Sequence, residues 1–460
     1  MPKWLSARAS FGVLLACIDS ISLYSSIGIV HYYRLGFWIP NFDWQLAAIV
    51  GVTLLTLYVM NVYYLDRMGN PLRTAIRTFT AVAVSGATIA SVVYVTKSTD
   101  VSTVLWRGNL PLGLVVFGVW ASVLRYLAQI ALNRFTRDPN WIVIGNSERG
   151  RALIDDQSRS AMGGKLLPLT TSEHDLDYIH IETTAESLKI SAQQGTMFEG
   201  KAAGIILATD EVLPKNLVSQ LMHARLGGIT ILEVADYYEQ FLLRLPVMQL
   251  KDGWFAMSQG FALLQHDVQL KIKRILDILA ASFGLILFAP VFLIVAVLVR
   301  TTSQGPAFYS QVRSGRLDRE FRLHKFRTMV TNAEENGPQW AQNNDPRITP
   351  IGRLLRKTRI DELPQLWNVL VGQMSFIGPR PERPDFNREL KKQIPYYDLR
   401  HLVNPGITGW AQVMYPYGAS VQDSRKKLEY DLYYIKNYSL AFDLYIALRT
   451  VRVVFSWAGR

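Results

Sequence analysis

The stretch Arg359-Ile-Asp361-Glu362-Leu-Pro364-Gln365 sets two adjacent carboxylates beside guanidinium groups. A carboxylate among cations is expected to stay ionised with a depressed pKa, which suits a nucleophile or a metal ligand better than a general acid. The same residues would also begin a helix well, because acids just before a proline satisfy first-turn amides and complement the helix dipole. The two readings are compatible, since a helix N-terminus also binds phosphate. Residues 301–360 hold eleven Lys/Arg (Arg313, Arg316, Arg319, Arg322, Lys325, Arg327, Arg347, Arg353, Arg356, Lys357, Arg359) against five acids. Such a block could simply bind anionic lipid headgroups. Three further segments supply what diphosphate chemistry needs. Lys325-Phe-Arg327-Thr-Met329 has two cations two residues apart, on one face if extended. Gly378-Pro-Arg380-Pro-Glu382 presents an arginine in a rigid turn suited to bidentate phosphate contact. Pro405-Gly-Ile-Thr-Gly-Trp410-Ala-Gln412-Val413 is a turn-rich loop that could hold a flat ligand.

The elements that must position these residues begin with an apolar run from Ile275 to Val299, carrying Asp277 near its start and Pro290 well inside. Both flanks are basic: Lys271, Lys273 and Arg274 before it, Arg300, Arg313 and Arg316 after it. Positive charge on both sides favours both ends staying on one membrane face, and proline supplies a break. The expectation is a re-entrant helix over 272–300 that dips into one leaflet and returns. Upstream, apolar runs at about 11–30, 45–64, 78–96 and 110–131 approach the roughly 20 helical residues that cross a hydrocarbon core. The first holds Asp19 and lacks a small-x-small cleavage site, so it is expected to be a retained span. Seven basic residues (Lys3, Arg8, Arg67, Arg73, Arg77, Arg134, Arg137) fall on one set of loops and three (Arg34, Lys97, Arg107) on the other. The positive-inside rule then places the N-terminus and everything after residue 132 in the cytoplasm.

The whole chain has 460 residues, a net charge of +12, a 19% charged fraction and one cysteine, Cys17. One cysteine excludes a disulfide scaffold and a thiolate zinc site. The low charged fraction, against about 25% for average globular chains, fits segments in lipid. Residues 138–266 have ordinary α/β composition. Trp141-Ile-Val-Ile144, Gly204-Ile-Ile-Leu-Ala208 and Ile229-Thr-Ile-Leu232 alternate with helical stretches, which predicts a parallel sheet of Rossmann or flavodoxin type. The turn Gly145-Asn-Ser-Glu-Arg-Gly150 has neither dinucleotide nor P-loop spacing, so it is read mainly as a tight turn and the domain as non-catalytic. The predicted organisation is a four-helix transmembrane bundle (1–137), a Rossmann/flavodoxin-like α/β domain (138–266) and a mainly α-helical catalytic domain (267–460).

Lys325-Phe-Arg-Thr-Met329, Asp361-Glu-Leu-Pro-Gln-Leu366, Asn368-Val-Leu370, Met374-Ser-Phe-Ile-Gly-Pro-Arg-Pro381 and Pro405-Gly-Ile-Thr-Gly-Trp-Ala-Gln412 resemble the bacterial sugar transferases. These are the polyprenyl-phosphate monotopic phosphoglycosyl transferases that initiate exopolysaccharide and O-antigen assembly. The spans and the α/β domain are similar to the long subgroup, and Met414-Tyr-Pro-Tyr-Gly-Ala-Ser420 resembles the variant found with exosortase (PEP-CTERM) clusters. The resemblance implies transfer of a hexose-1-phosphate, with glucose or galactose favoured, from a UDP-sugar to undecaprenyl phosphate. UMP leaves, and an aspartyl-phosphosugar forms in between. By motif position it implies Asp361 as nucleophile, Glu362 as a holder of Mg²⁺, Lys325 and Arg327 as active-site charges and Pro290 as the re-entrant break. Arg380 contacts phosphate, and Arg353, Arg359 and Gln412 complete the candidate substrate-binding set. The site would work at the inner membrane, among membrane lipids and on its cytoplasmic face; a homo-dimer is one assembly the sequence allows. Many members carry an Asn-Gly-Arg-Asn stretch after the Gln-Val of the last motif. Here Met414-Tyr-Pro-Tyr417 follows instead, and Arg425 is a candidate to replace the missing cation.

Rival chemistries lack their residues. A nucleotide-sugar dehydratase or epimerase uses a Tyr-x-x-x-Lys pair, and no lysine here has a tyrosine four residues before it. The Asp-x-Asp of a processive glycosyltransferase occurs only as Asp175-Leu-Asp177, in a polar stretch read as a solvated loop. Nucleic acid is not expected as a partner, because no nucleic-acid-binding motif accompanies the charge. A non-enzymatic membrane scaffold would tolerate Asp361→Asn. The C-terminal tyrosines (Tyr430, Tyr433, Tyr434, Tyr438, Tyr445) and the apolar run from Leu444 suit either helices at the lipid interface or packing against the protein's own core.

Overall fold

The computed structural model describes residues 3–38, 44–60, 62–63, 71–96, 108–135, 140–145, 147–158, 165–169, 179–183, 188–191, 197–200, 202–209, 212–250, 252–258, 260–261, 267–331, 333, 345–415, 418 and 420–455. The fold is mostly helical, with small parallel sheets. It divides into two compact units, Pro2–Arg137 and Asp138–Arg460.

The first unit is four helices: α1 (Lys3–Leu35), α2 (Trp44–Val59), α3 (Pro71–Thr96) and α4 (Asn109–Phe135). They share an apolar core that includes Leu23 and Ile27 of α1, Leu46 and Leu57 of α2, Val82 and Ile89 of α3, and Leu114 and Phe117 of α4. Asp19 of α1 and Arg125 of α4 pair inside it at 2.5 Å. Three stretches, Gly12–Leu35, Thr74–Tyr94 and Asn109–Ala131, are long and apolar enough to cross a membrane. The expected second span, 45–64, is shorter. Its helix has 16 residues, which at ~1.5 Å per residue falls short of a ~30 Å hydrocarbon core. Apolar composition continues past Val59, but the Val62 amide reaches back to the Leu57 carbonyl, and this wider turn ends the helix. Arg67, Lys97, Arg107 and Arg137, which contributed to the topology count, lie outside the described residues, as does Asp175-Leu-Asp177.

The second unit opens on a four-stranded parallel sheet, in spatial order β2-β1-β6-β7, built from β1 (Asn140–Ile144), β2 (Lys165–Leu169), β6 (Gly204–Leu207) and β7 (Thr230–Glu233). The short strands β3 (His180–Thr183), β4 (Leu188–Ser191) and β5 (Met197–Gly200) form a separate antiparallel sheet. Helices α5 (Glu148–Ser158) and α6 (Lys215–Leu226) follow β1 and β6. Gly145 needs its positive φ of +107°, and a Cβ there would lie 2.6 Å from the Ala208 carbonyl oxygen, so the turn is glycine for steric reasons. Helices α7 (Val234–Tyr237) and α8 (Asp252–Met257) lead out of this region.

Next come α9 (Asp267–Leu287) and α10 (Ala289–Thr302), bent by 60° at the break between them. Pro290 lies in the first turn of α10, where a missing N–H is tolerated; in one continuous helix it would leave the Ile286 carbonyl without its donor. The inner face of α9 is fastened to the rest of the unit. Arg274 donates to the Val369 and Leu370 carbonyls, Asp277 accepts from the Phe376 amide, and Lys273 pairs with Asp443 at 2.6 Å. The outer face of α9 leaves Leu279, Phe283 and Ile286 exposed, and α10 leaves Leu293 exposed, an apolar patch of the kind that marks a membrane or protein contact.

The antiparallel pair β8 (Phe308–Ser314) and β9 (Glu320–Phe326) follows, then α11 (Pro350–Thr358), α12 (Gln365–Leu370), β10 (Ser375–Ile377), α13 (Pro384–Gln393), β11 (Gly406–Thr408), α14 (Trp410–Met414), α15 (Val421–Lys436) and α16 (Leu440–Phe455). Helix α15 forms a seam with the parallel-sheet region. Arg244 bridges Asp156 (2.8 Å) and Glu429 (2.7 Å), Lys426 reaches Asp156 at 2.8 Å, and the Trp410 indole donates to the Leu243 carbonyl. The C-terminal tyrosines divide accordingly: Tyr433 and Tyr434 are buried, Tyr433 beside Trp410 and Phe442, while Leu444 and Leu448 of α16 face outward.

Candidate active site

Helix α11 starts at Pro350, capped by the Thr349 hydroxyl accepting from the Gly352 amide, and stops at Arg359 in the left-handed conformation (φ +60°). A non-glycine residue there costs on the order of 1 kcal/mol, and such strain clusters at functional sites. The reversal delivers Ile360–Glu362 into a single 3₁₀ turn ahead of Pro364 and α12, which buries both carboxylates. Helix α12 is held against β9 by Asn368. Its side chain donates to the Arg322 carbonyl and accepts from the His324 amide, which also fixes the strand end carrying Lys325.

The adjacent acids have opposite surroundings. Glu362 Oε1 receives Lys325 at 2.9 Å and Arg380 at 2.8 Å, with Arg359 at 3.7 Å. Burial alone would raise this carboxyl, but Lys325, Arg380 and Arg359 outweigh it and hold it well below its ordinary value. Asp361 is buried, and its Oδ1 has no partner among the described residues. Burial pushes its carboxyl up to about 6, with Glu362 adding to the rise and Lys325 opposing it. The expectation of a depressed Asp361 pKa is therefore corrected: the neighbouring cations are drawn to Glu362, and desolvation decides the fate of Asp361.

Arg380 is aimed by a backbone joint. Strands β10 and β11 pair in parallel, the Gly378 amide donates to the Thr408 carbonyl, and the Gly406 amide donates to the Pro379 carbonyl. A Cβ on Gly378, Gly406 or Gly409 would come within 2.4 Å of the facing main chain. The Gly-Pro-Arg and Pro-Gly-Ile-Thr-Gly motifs are thus two halves of one contact. The Arg380 carbonyl is held in turn by buried Arg400, which also takes Asp431 (3.0 Å) and the Tyr397 hydroxyl (2.7 Å).

A cavity of about 690 Å³ borders the site. Phe283, Leu287 and Phe288 at the helix break give it an apolar wall, and Arg353, Arg356, Lys357, Arg359 and Glu362 a charged one. Gln412 also lines it; its amide donates to the Ile407 carbonyl, while Oε1 is buried without a partner among the described residues. Of the residues singled out in the sequence, Glu362, Arg353, Arg359 and Gln412 meet at this cavity, Lys325 and Arg380 join through Glu362, and Asp361 sits in the same turn. Arg327 does not join them. It donates to the Ser303 carbonyl and hydroxyl at 2.8 Å and so caps α10. The two-residue spacing of Lys325 and Arg327 spans the end of β9, and the chain has left the strand by Arg327.

No sequence pattern assigns a role to Asn368, Arg400 or Asp431. Asn368 at least stood in a quoted motif; Arg400 and Asp431 are 31 residues apart, and nothing local joins them. Among the described residues two cations touch the stretch after Gln412, Arg449 through the Met414 sulfur and Lys427 through the Gly418 carbonyl, whereas Arg425 acts on Glu429. Part of the Met414–Ser420 stretch, including Pro416 and Tyr417, lies outside the described residues.

The profile of the bacterial sugar transferase family matches residues 268–457. A UDP-N-acetylgalactosamine-undecaprenyl-phosphate N-acetylgalactosaminephosphotransferase of Aeromonas hydrophila is 48% identical over 239 residues, 52% of this chain and 55% of the relative. A UDP-glucose:undecaprenyl-phosphate glucose-1-phosphate transferase of Klebsiella pneumoniae is 37% identical over 252 residues, 53% of this chain and 51% of the relative. The chain thus matches about half the length of these two curated relatives. An exopolysaccharide production protein of Rhizobium leguminosarum bv. phaseoli is 38% identical over 190 residues, 40% of this chain and 95% of the relative. With the family profile matching residues 268–457 and an alignment that takes in nearly the whole of one relative, this chain belongs to the bacterial sugar transferase family.

Proposed function

We propose that the protein transfers a hexose-1-phosphate from a UDP-sugar to undecaprenyl phosphate, releasing UMP and beginning assembly of an exopolysaccharide, O-antigen or capsule repeat unit. The observation that carries the proposal is the asymmetric acid pair. Asp361 keeps a carboxylate oxygen without a partner among the described residues, in a desolvated turn, while Glu362 beside it gathers the cations. A desolvated carboxylate is a stronger nucleophile than a hydrated one, and the cations offset the repulsion between it and an anionic diphosphate.

Asp361 attacks the phosphorus that bears the sugar. An Asp361 oxygen–phosphorus bond forms, the bond from that phosphorus to the bridging oxygen breaks, and UMP leaves with the bond's electron pair. An oxygen of undecaprenyl phosphate then attacks the same phosphorus and displaces the Asp361 carboxylate, giving the polyprenyl diphosphosugar. Lys325, Arg359 and Arg380 orient and neutralise phosphate oxygens, and Arg353 and Gln412 hold substrate at the cavity wall.

The donor set fits Mg²⁺: carboxylate oxygens are hard ligands, and this ion commonly takes one or two of them with substrate phosphates. Glu362 would hold it, and when bound it would supply neutralisation of the diphosphate.

The apolar wall at the α9–α10 break suits the first isoprene units of the acceptor. In this reading α9 and α10 form a re-entrant hairpin, α1–α4 a bundle of four spans in which the 16-residue α2 is a short crossing met by local thinning of the bilayer, and the parallel-sheet region a non-catalytic Rossmann-like domain. The N-terminus and the catalytic part lie on the cytoplasmic face of the inner membrane. The relatives' names support the lipid acceptor and differ in the sugar, N-acetylgalactosamine in one and glucose in another.

The test is UMP release by the full chain across a panel of UDP-sugars, with undecaprenyl phosphate and Mg²⁺, repeated with Asp361→Asn. One UDP-sugar should be turned over and the variant should be inactive. Turnover retained by Asp361→Asn would overturn the proposal.

A further inference from the structure

We propose that Arg449 of α16 is a phosphate-binding residue at the rim of the site cavity, a role that rests on the transferase reading above. Thr450 and Val453 of α16 line the cavity together with Gln412 and Val413 of α14. Arg449 is the chain neighbour of the first, lies one turn before the second, and touches the Met414 sulfur next to Val413.

The surroundings of its guanidinium set it apart. Arg244, Arg380 and Arg400 each meet a carboxylate at 2.7–3.0 Å, while Arg274 and Arg327 meet backbone carbonyls. Arg449 has five N–H donors and, among the described residues, no carboxylate partner; the thioether it touches is a weak acceptor. It is partly buried and lies over two aromatic rings, Trp410 at 5.6 Å and Tyr445 at 5.8 Å. Trp410 is buried and anchored through its indole N–H to the Leu243 carbonyl, so the platform is fixed. Aromatic faces hold a guanidinium in place without meeting its hydrogen-bonding needs. A partly desolvated, pre-oriented planar cation beside an anion-binding cavity fits a phosphate, whose oxygens match its fork.

Two substrates carry that group, the nucleotide sugar and the lipid acceptor, and a two-step reaction separates them. In nanodiscs prepared over a series of phosphatidylglycerol contents and compared at equal content, single-turnover UMP release without acceptor reports the UDP-sugar. Transfer from the loaded enzyme at varied undecaprenyl phosphate reports the lipid. Arg449→Gln should raise the half-saturating concentration for one of the two roughly tenfold or more, the loss of one charge-assisted contact. Arg449→Lys should recover part of it. Met414→Glu leaves the arginine and its aromatic platform in place but offers it a carboxylate, and should reproduce the Arg449→Gln effect even if that variant folds poorly. Both substrate dependences unchanged within twofold in Met414→Glu and in folded Arg449→Gln would overturn the proposal. So would a loss that tracks phosphatidylglycerol content alone, since that identifies a bulk lipid anchor. Wild-type UMP release and its absence in Asp361→Asn, run in parallel, keep failure of the transferase reading distinct.

Discussion

Two charged clusters lie in the same unit of the molecule. At the seam, Asp156, Arg244, Glu429 and Lys426 are two acids and two bases, with partners at 2.7–2.8 Å. At the site, Asp361 and Glu362 are set among Lys325, Arg359 and Arg380, with Arg353, Arg356 and Lys357 on the adjoining cavity wall. The seam is balanced and complete, and so it specifies how α15 meets the parallel-sheet region. The site has a surplus of cations and one carboxylate oxygen without a partner among the described residues. Burying such an imbalance is unfavourable for a folded chain alone. Under the proposed reaction it becomes favourable when the anions of the two substrates enter, and the completeness of a cluster would then separate structure from chemistry better than its density of charge.

Substitutions can break or sharpen that contrast. The largest effect belongs to Asp361→Asn, for which UMP release should fall ~10⁴-fold or more, the scale reached when a nucleophilic unit is disabled. Its melting temperature at pH 7 should not fall. The Asp361 carboxyl is pushed up to about 6 by burial, above its unfolded value, so ionising it at neutral pH opposes folding and an amide removes that penalty. A marked drop in melting temperature would mean that Asp361 belongs with the seam. Arg244→Met should do the reverse. It removes the 2.7 Å partner of buried Glu429, leaving it Lys426 at 3.7 Å, while Asp156 keeps Lys426, and should cost about 3 kcal/mol in denaturant unfolding, while kcat at temperatures where the protein is folded stays within about threefold of wild type. Lys325→Met should lower kcat about 10²–10³-fold, as removal of one pre-organised stabilising group does, with little change in unfolding. Arg359→Ala should be mildest. Its pair with Glu362 is 3.7 Å long and the arginine is 40% exposed, so stability should change by less than ~1 kcal/mol while the rate falls about tenfold.

What could be read along the chain was whatever depends on near neighbours. The turn carrying Asp361 and Glu362, the break near Pro290 and three of the four strands of the parallel sheet all rest on residues a few positions apart; β2 gave no such signal. Lys325 and Arg327 mark the limit. The pattern puts both on one strand face, but β9 ends between them, and one goes to Glu362 while the other caps α10. The Asp361 pKa failed for a similar reason: the sequence shows how many cations are near, not which of two adjacent acids they will touch. Arg400, Asp431 and the seam join residues 31 to 270 positions apart, and no local signal encodes them. The motif order names the candidate residues; the geometry separates Arg327 from them and, under the proposal above, adds Arg449.

The joint of Gly378, Gly406 and Gly409 has a consequence for how this protein can vary. Ordinary core positions drift in pairs, because a side chain that grows on one element can be met by one that shrinks on the other. Here main chain faces main chain, and a methyl group at Gly378, Gly406 or Gly409 would lie within 2.4 Å of backbone atoms. No side chain is available to trim, so second-site suppressors should be absent. In a saturation library these positions should tolerate no substitution singly or in combination, and paralogues with a new sugar should change the cavity walls while leaving this joint alone.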